Sequence, residues 1–98
     1  MRRRAVVFRP EAEAEALQSQ TWYEQRRSGL GAEFGEAMSD AVSRIVEQPT
    51  AYQAVRGSIR RAVLRRFPYA IYFRVDRDTI VILAVHGRQH PGRWQVRR

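Results

Sequence analysis

Residues 69–85 read YAIYFRVDRDTIVILAV, and this stretch decides the fold. In its first half, large apolar residues at 69, 71, 73 and 75 alternate with Ala70, Tyr72 and Arg74, as in a β-strand whose side chains point to opposite faces in turn. Residues 76–78 (Asp-Arg-Asp) then predict a turn. The unbroken apolar run 80–85 is typical of a strand near the middle of a sheet. The stretch therefore predicts two strands joined by a turn.

Upstream of this stretch the apolar spacing is helical. Between residues 30 and 45, apolar side chains recur at intervals that place them on one face of a helix. They are Leu30, Phe34, Ala37, Met38, Ala41, Val42 and Ile45. Pro49 is expected to end this helix, because proline disfavours a helical conformation in the residue before it.

A preceding helix is predicted from Pro10 to about Arg27. Proline suits the first helical turn, and the glutamates at 11, 13 and 15 favour the positive end of the helix dipole. Its apolar residues at 12, 16, 17, 22 and 23 form a moderate stripe. The pair Ser28-Gly29 breaks the helix, and so short a link makes the two helices an antiparallel hairpin.

Two more strands are predicted, at residues 3–8 and 59–64. The predicted order is therefore β-α-α-β-β-β, an α+β fold in which the helical hairpin packs on one face of a small antiparallel or mixed sheet. With 98 residues, the chain is expected to form a single domain over residues 1–98.

The positive charge lies almost entirely in the second half of the chain. Residues 1–49 hold 7 arginines and 8 acidic residues, whereas residues 50–98 hold 11 arginines against Asp76 and Asp78. The net charge is +8, and all 18 basic residues are arginine. Because the guanidinium is a planar fork that matches carboxylates and phosphates, the second half is predicted to meet a negatively charged partner.

The arginines cluster in two places. Arg56, Arg60, Arg61, Arg65 and Arg66 fall within 11 residues with no acid among them, and Arg88, Arg93, Arg97 and Arg98 follow near the C-terminus. If the strand continued through this cluster, residues 61 and 65 would point to one face and residues 60 and 66 to the other. Two interpretations stay open: a solvated edge that resists aggregation, or an acceptor for a polyanion or an acidic partner.

Aromatic residues lie near these arginines, namely Tyr69, Tyr72 and Trp94. Arginine and aromatic side chains together suit base stacking or a protein hot spot. The alternative for Tyr69 and Trp94 is a place in the core or over it.

Several chemistries are excluded or disfavoured. The chain has no cysteine, so disulfides and thiolate zinc sites are excluded. His86 and His90, on a predicted strand and its exit, lack chelate spacing, and we expect no metal and no cofactor. The acidic residues fall mostly at solvent-facing helix positions, which argues against paired-carboxylate catalysis. Without a long apolar run or a signal peptide, we expect no membrane association and a cytoplasmic location.

Taken in order, short motifs along nearly the whole chain resemble one family, the RelE/ParE superfamily of toxins from type II toxin–antitoxin modules. They are Phe8-x-Pro10-x-Ala12, Trp22-Tyr23, Leu30-Gly31-x-x-Phe34, Pro49-x-x-Tyr52, Ile59-Arg60-Arg61, Arg66-Phe67-Pro68-Tyr69 and His86-x-Arg88-x-x-Pro91-x-x-Trp94. The ordered set, above all Arg-Phe-Pro-Tyr and the His-x-Arg-x-x-Pro ending, carries the resemblance.

The resemblance implies a plasmid-stabilisation toxin that forms a hetero-oligomer with a cognate acidic antitoxin, ParD-like or similar. The arginine-rich half then supplies the residues expected to bind antitoxin or target: Arg56, Arg60, Arg61, Arg65, Arg66, Arg88, Arg93 and Trp94. ParE-like members inhibit DNA gyrase, whereas RelE-like members cleave mRNA on the ribosome.

For the second branch, Arg61 and Arg88 would be the transition-state cations and His90 the acid–base group. The upstream lysines of that branch are absent, with Arg56 the nearest substitute, and Trp94 occupies the position of its C-terminal tyrosine. Indole cannot exchange a proton in that role. The Pro-x-x-Trp ending and Arg-Phe-Pro-Tyr are closer to ParE, so gyrase inhibition is the first expectation and ribosome-dependent cleavage the alternative.

Overall fold

The structure is a computed structural model that describes residues 4–87. Its elements follow one another as β1 (Ala5–Phe8), α1 (Pro10–Arg26), α2 (Leu30–Glu47), a short 3₁₀ turn (Pro49–Ala51), β2 (Ala54–Arg56), β3 (Ile59–Val63), β4 (Tyr69–Asp76) and β5 (Thr79–Gly87). The five strands form one sheet in the order β1-β5-β4-β3-β2, and the two helices pack on one of its faces. The predicted α+β architecture is confirmed.

The sheet is mixed, because β1 and β5, the first and last strands along the chain, lie side by side and run parallel. β1 runs parallel to β5, with Ala5 beside Thr79 and Phe8 beside Ile82, and the remaining pairs are antiparallel. β5 therefore has a strand on each side, which explains its continuous apolar run. The predicted position of residues 80–85 inside the sheet is correct.

One strand was missing from the sequence prediction. β2 has 3 residues and pairs with β3 as the outermost strand, after which Gly57 turns the chain with a positive φ of 55°. Three residues are too few to show an alternating pattern, so the segment carried no strand signal. The glycine takes the turn because it has no Cβ to clash in that conformation.

Helix α2 forms the centre of the core. The residues predicted on its apolar face are buried or partly buried against the sheet, and Phe34, Met38, Ala41 and Ile45 are the most deeply buried. Helix α1 departs from its prediction, because Leu17 and Trp22 of its stripe are 59% and 47% exposed. Both residues lie off the line of Ala12, Ala16 and Tyr23, which does face the core.

The turn between the helices depends on one acidic side chain and one close approach. The Glu24 carboxylate accepts hydrogen bonds from the backbone N–H of Gly29 at 3.1 Å and of Gly31 at 2.9 Å, which satisfies free donors at the start of α2. A Cβ on Gly31 would lie 2.9 Å from the backbone oxygen of Gln20, so only glycine lets the helices approach this closely.

Candidate partner-binding site

The strand β3 sends adjacent arginines to opposite faces of the sheet. Arg60 lies opposite Phe73, on the face covered by the helices, and Arg61 lies opposite Tyr72, on the outer face. Cross-strand neighbours share a face, so the register fixes both directions. Arg61 is exposed, whereas Arg60 is partly buried.

Arg60 holds the chain together locally. Its Nη1 donates a hydrogen bond to the backbone oxygen of Tyr52 at 2.6 Å and reaches that of Thr50 at 3.5 Å. The guanidinium thus satisfies carbonyl groups within and just after the 3₁₀ turn and connects that segment to β3. Among the predicted binding residues that the structure describes, Arg60 is the one that lies on the helix-covered face of the sheet.

Arg65 and Arg66, which we call the arginine corner, lie in the loop between β3 and β4. β3 ends at Val63, so the alternation expected if the strand continued does not extend to these two residues. Their side chains instead reach carboxylates on α2. Arg66 Nη2 lies 2.6 Å from Glu33 Oε1, and Arg65 Nη1 lies 4.0 Å from Asp40 Oδ2.

At the arginine corner, the lack of nearby acids is therefore a property of the sequence and not of the folded surface. Each carboxylate also has a second arginine beside it: Arg27 lies 3.5 Å from Glu33, and Arg44 lies 3.2 Å from Asp40. The fold brings α2 next to the loop, so two rows of alternating charge form where the sequence shows only positive charge.

The outer face of the sheet retains arginines on three strands. Arg61 is exposed on β3, Arg56 is exposed on the edge strand β2, and Arg74 is partly buried on β4, two residues along from Tyr72 on the same face. Arg74 was not among the predicted binding residues. The alternation in residues 70–74 could have indicated its position, because it places Arg74 on the same face of the strand as Ala70 and Tyr72.

The aromatic residues near the arginines are mostly packed. Tyr72 is only 5% exposed within the outer-face cluster, and Tyr69 packs between Tyr23 and Phe34 at ring distances of 5.9 and 5.2 Å. Tyr69 is thus packed against the core, as one of its two predictions has it, and its part in binding stays a prediction. The buried Tyr72 ring offers no open face of the kind that base stacking requires, whereas Tyr69 is only partly buried.

The predicted C-terminal site residues Arg88, His90, Arg93 and Trp94 lie outside the described residues.

One acidic residue of α1 is largely buried, although the sequence predicted no binding or catalytic role for it. Glu15 lies at the base of a groove of about 460 Å³ between α1 and the ends of β4 and β5. Its carboxylate accepts a hydrogen bond from the backbone N–H of Val85 at 2.9 Å and lies 2.7 Å from His86 Nε2. The expectation that the helix acids face solvent was wrong here, since the Glu15 side chain is only 13% exposed. Its position on the same side of α1 as Ala12 and Ala16 was the available signal.

The groove combines this polar base with aromatic walls. It is lined by Glu15, Gln18, Ser19, Trp22, Tyr23, Pro68, Tyr69, Val85, His86 and Gly87. Burial, and then the neighbouring Tyr69, raises the pKa of Tyr23 above the ordinary tyrosine value. Among residues 4–87, no three histidine, cysteine or acidic side chains cluster closely enough to hold a metal ion. No described helix is both long and apolar enough to cross a bilayer.

Comparison with known proteins decides the family. The family described as the ParE toxin of the type II toxin–antitoxin system, parDE, matches residues 6–91. The chain belongs to the ParE toxin family. None of the curated proteins matches the sequence significantly. Among solved structures, a chain of the chromosomal ParDE system from P. aeruginosa superposes with a TM-score of 0.63 at 19% identity, covering 86% of this chain and 95% of the other.

The family match covers the whole first group of arginines, from Arg56 to Arg66, and of the second group only Arg88. For a ParE toxin, the described residues present two kinds of basic surface. The arginine corner is partly neutralised by α2, while the outer sheet face presents Arg56, Arg61 and Arg74 beside apolar residues. An extended surface of this kind is suited to binding a macromolecule and not to enclosing a small substrate.

Proposed function

We propose that this ParE toxin stops growth by binding and inhibiting DNA gyrase, and that a cognate acidic antitoxin holds it inactive. The observation that carries the proposal is the family match over residues 6–91, together with the open basic surface on the sheet. Inhibition by binding requires a complementary surface and no acid–base pair.

His86 does not supply the acid–base group of the ribonuclease alternative, and His90, the predicted group, lies outside the described residues. Cleavage by a RelE-like mechanism needs an acid–base group near the cationic Arg61. His86 is the only histidine within residues 4–87. Its ring is buried, and its Nε2 lies within hydrogen-bond distance of the Glu15 carboxylate. It is therefore not placed to exchange a proton with RNA lying on the open face of the sheet.

The antitoxin proposal rests on charge. An acidic segment would be drawn to the second half of the chain, where 11 arginines face only two acidic residues. Exposed charges of this kind speed association and orient the partner. Salt screens their attraction, with a screening length of about 10 Å at 0.1 M.

The test is a supercoiling assay with purified gyrase, relaxed plasmid and folded, antitoxin-free toxin. We expect inhibition that is lost when the antitoxin is added before gyrase, and weaker inhibition by an Arg56→Gln/Arg61→Gln variant. A parallel ribosome assay follows mRNA length. Unaffected supercoiling would overturn the gyrase proposal, and cleaved mRNA in the same preparation would establish the ribonuclease alternative.

A further inference from the structure

The arginine corner is already occupied by carboxylates of its own chain. Arg66 contacts Glu33 at 2.6 Å and Arg65 approaches Asp40 at 4.0 Å, while all of the four side chains remain at least 32% exposed. Pairs this exposed are screened by water and hold weakly. The two guanidiniums are thus placed to bind carboxylates. Because their present ion pairs are weak, the carboxylates of a partner can replace those of Glu33 and Asp40.

The backbone at the corner is held in an uncommon conformation. Arg66 has a φ of 74°, a left-handed value that is unfavourable for a side chain with a Cβ. The next residue, Phe67, is 7% exposed and packs edge-on against Tyr23 and Phe34 at 4.9 and 5.3 Å. The aromatic packing therefore anchors the loop. A strained backbone that is anchored in this way is typical of a binding site.

We propose that the arginine corner is a docking site for an acidic peptide segment, and that Glu33 and Asp40 occupy it until such a segment displaces them. The proposal rests on the function given above only in that the segment would belong to the antitoxin. The carboxylates of α2 act as internal competitors that lower the affinity of the free toxin for acidic partners.

The geometry favours a peptide over a nucleic acid. Both occupied positions hold carboxylates, and Glu33 and Asp40 are seven residues apart, which is about 10 Å along a helix. A helical segment with two glutamates at that spacing presents the same pair of groups. A nucleic acid strand presents a continuous row of phosphates and not two charged groups about 10 Å apart.

The experiment measures binding of a synthetic helical peptide with glutamates seven residues apart, and of the same peptide with glutamines there. The full-length toxin is compared with Glu33→Gln/Asp40→Asn and with a matched control, Glu36→Gln/Glu47→Gln. The control variant removes the same charge from exposed positions of the same helix. Circular dichroism checks that each variant is folded.

We expect the Glu33→Gln/Asp40→Asn variant to bind the glutamate peptide more tightly, by up to about fivefold for each carboxylate removed, and the control variant to gain much less. Adding Arg65→Gln/Arg66→Gln should abolish the gain. Equal gains in both variants, or none in either, would overturn the proposal. A larger gain for a single-stranded oligonucleotide than for the peptide would overturn the choice of partner. Gyrase plays no part in these measurements, so their failure is separate from failure of the supercoiling test.

Discussion

The Glu15 carboxylate on α1 lies 2.7 Å from Nε2 of His86 near the end of β5. The same carboxylate accepts the backbone N–H of Val85 at 2.9 Å. An ionised carboxylate only accepts hydrogen bonds, so opposite an ionised Glu15 the donor of this contact would be Nε2 of His86. Since β1 pairs with β5 only as far as Ile82, Glu15 takes over beyond that point as the acceptor for the uncovered edge of β5.

The replacement Glu15→Gln tests this role. The amide leaves one acceptor oxygen but turns an N–H group toward Val85 or His86, so we expect a loss of about 1–3 kcal/mol in the free energy of unfolding. Urea denaturation measures it. Glu13→Gln, on the exposed side of the same helix, should change stability by less than about 0.5 kcal/mol. Equal effects of the two substitutions would contradict the structural role of Glu15.

Arg60 and Arg61 are adjacent, but substituting the first should lower stability and substituting the second should weaken binding. Arg60→Ala removes the donor to the Tyr52 carbonyl and is expected to lower the free energy of unfolding by about 1–2 kcal/mol. Arg61→Ala, on the exposed face, should change stability by less than about 0.5 kcal/mol while weakening binding to antitoxin or gyrase. Denaturation and titration calorimetry on both variants decide the matter. The assignment fails if Arg61→Ala is the more destabilising of the two.

The close approach of the helices predicts opposite outcomes for two glycines of α2. Gly31→Ala forces a Cβ against the Gln20 backbone and should destabilise the fold by about 1–3 kcal/mol. At Gly35 the nearest atom is the end of the flexible Gln20 side chain, so alanine should be neutral or stabilising by up to about 1 kcal/mol. Thermal unfolding compares the two. A stable Gly31→Ala variant would mean that the helices separate more easily than the contact implies.

Alkaline pH should weaken the fold through Tyr23. Burial, and then Tyr69, raises the pKa of Tyr23, so above about pH 10 the unfolded chain loses this proton before the folded one does. Stability is therefore full below the ordinary tyrosine pKa and falls as pH rises through the raised value. Tyr23→Phe lacks this proton, and its urea midpoint should drop less between neutral pH and about pH 10.5 than that of the unchanged protein. Identical drops would assign the alkaline loss to other groups.

Much of the fold was predictable because its patterns are long. The helical spacing of residues 30–45 and the alternation of residues 69–75 each repeat several times, so both elements were identified correctly. The three-residue strand β2 offers no repeat. Its existence depends on pairing with β3, a contact between segments that local patterns do not encode.

The binding surface was only partly predictable, for the same reason. The arginines could be found in the sequence, but the partners of Arg65 and Arg66 come from α2, about 30 residues earlier in the chain. The separate task of Arg60 follows from strand register, which shifts every side chain between faces when it moves by one residue. Glu15 looked like a surface acid because its partners, Val85 and His86, are far away in sequence.

The parallel pairing of β1 with β5 also sets the order of events during synthesis. Ala5 finds its neighbour only when Thr79 has left the ribosome, and Phe8 only when Ile82 has done so. Until then β1 has no strand with which to form backbone hydrogen bonds. Contacts between residues so distant in sequence also form slowly. The helical hairpin can assemble early, whereas the sheet that displays the arginines is finished late. The sheet that carries the arginines is therefore complete only once residues 79–82 are available to pair with β1.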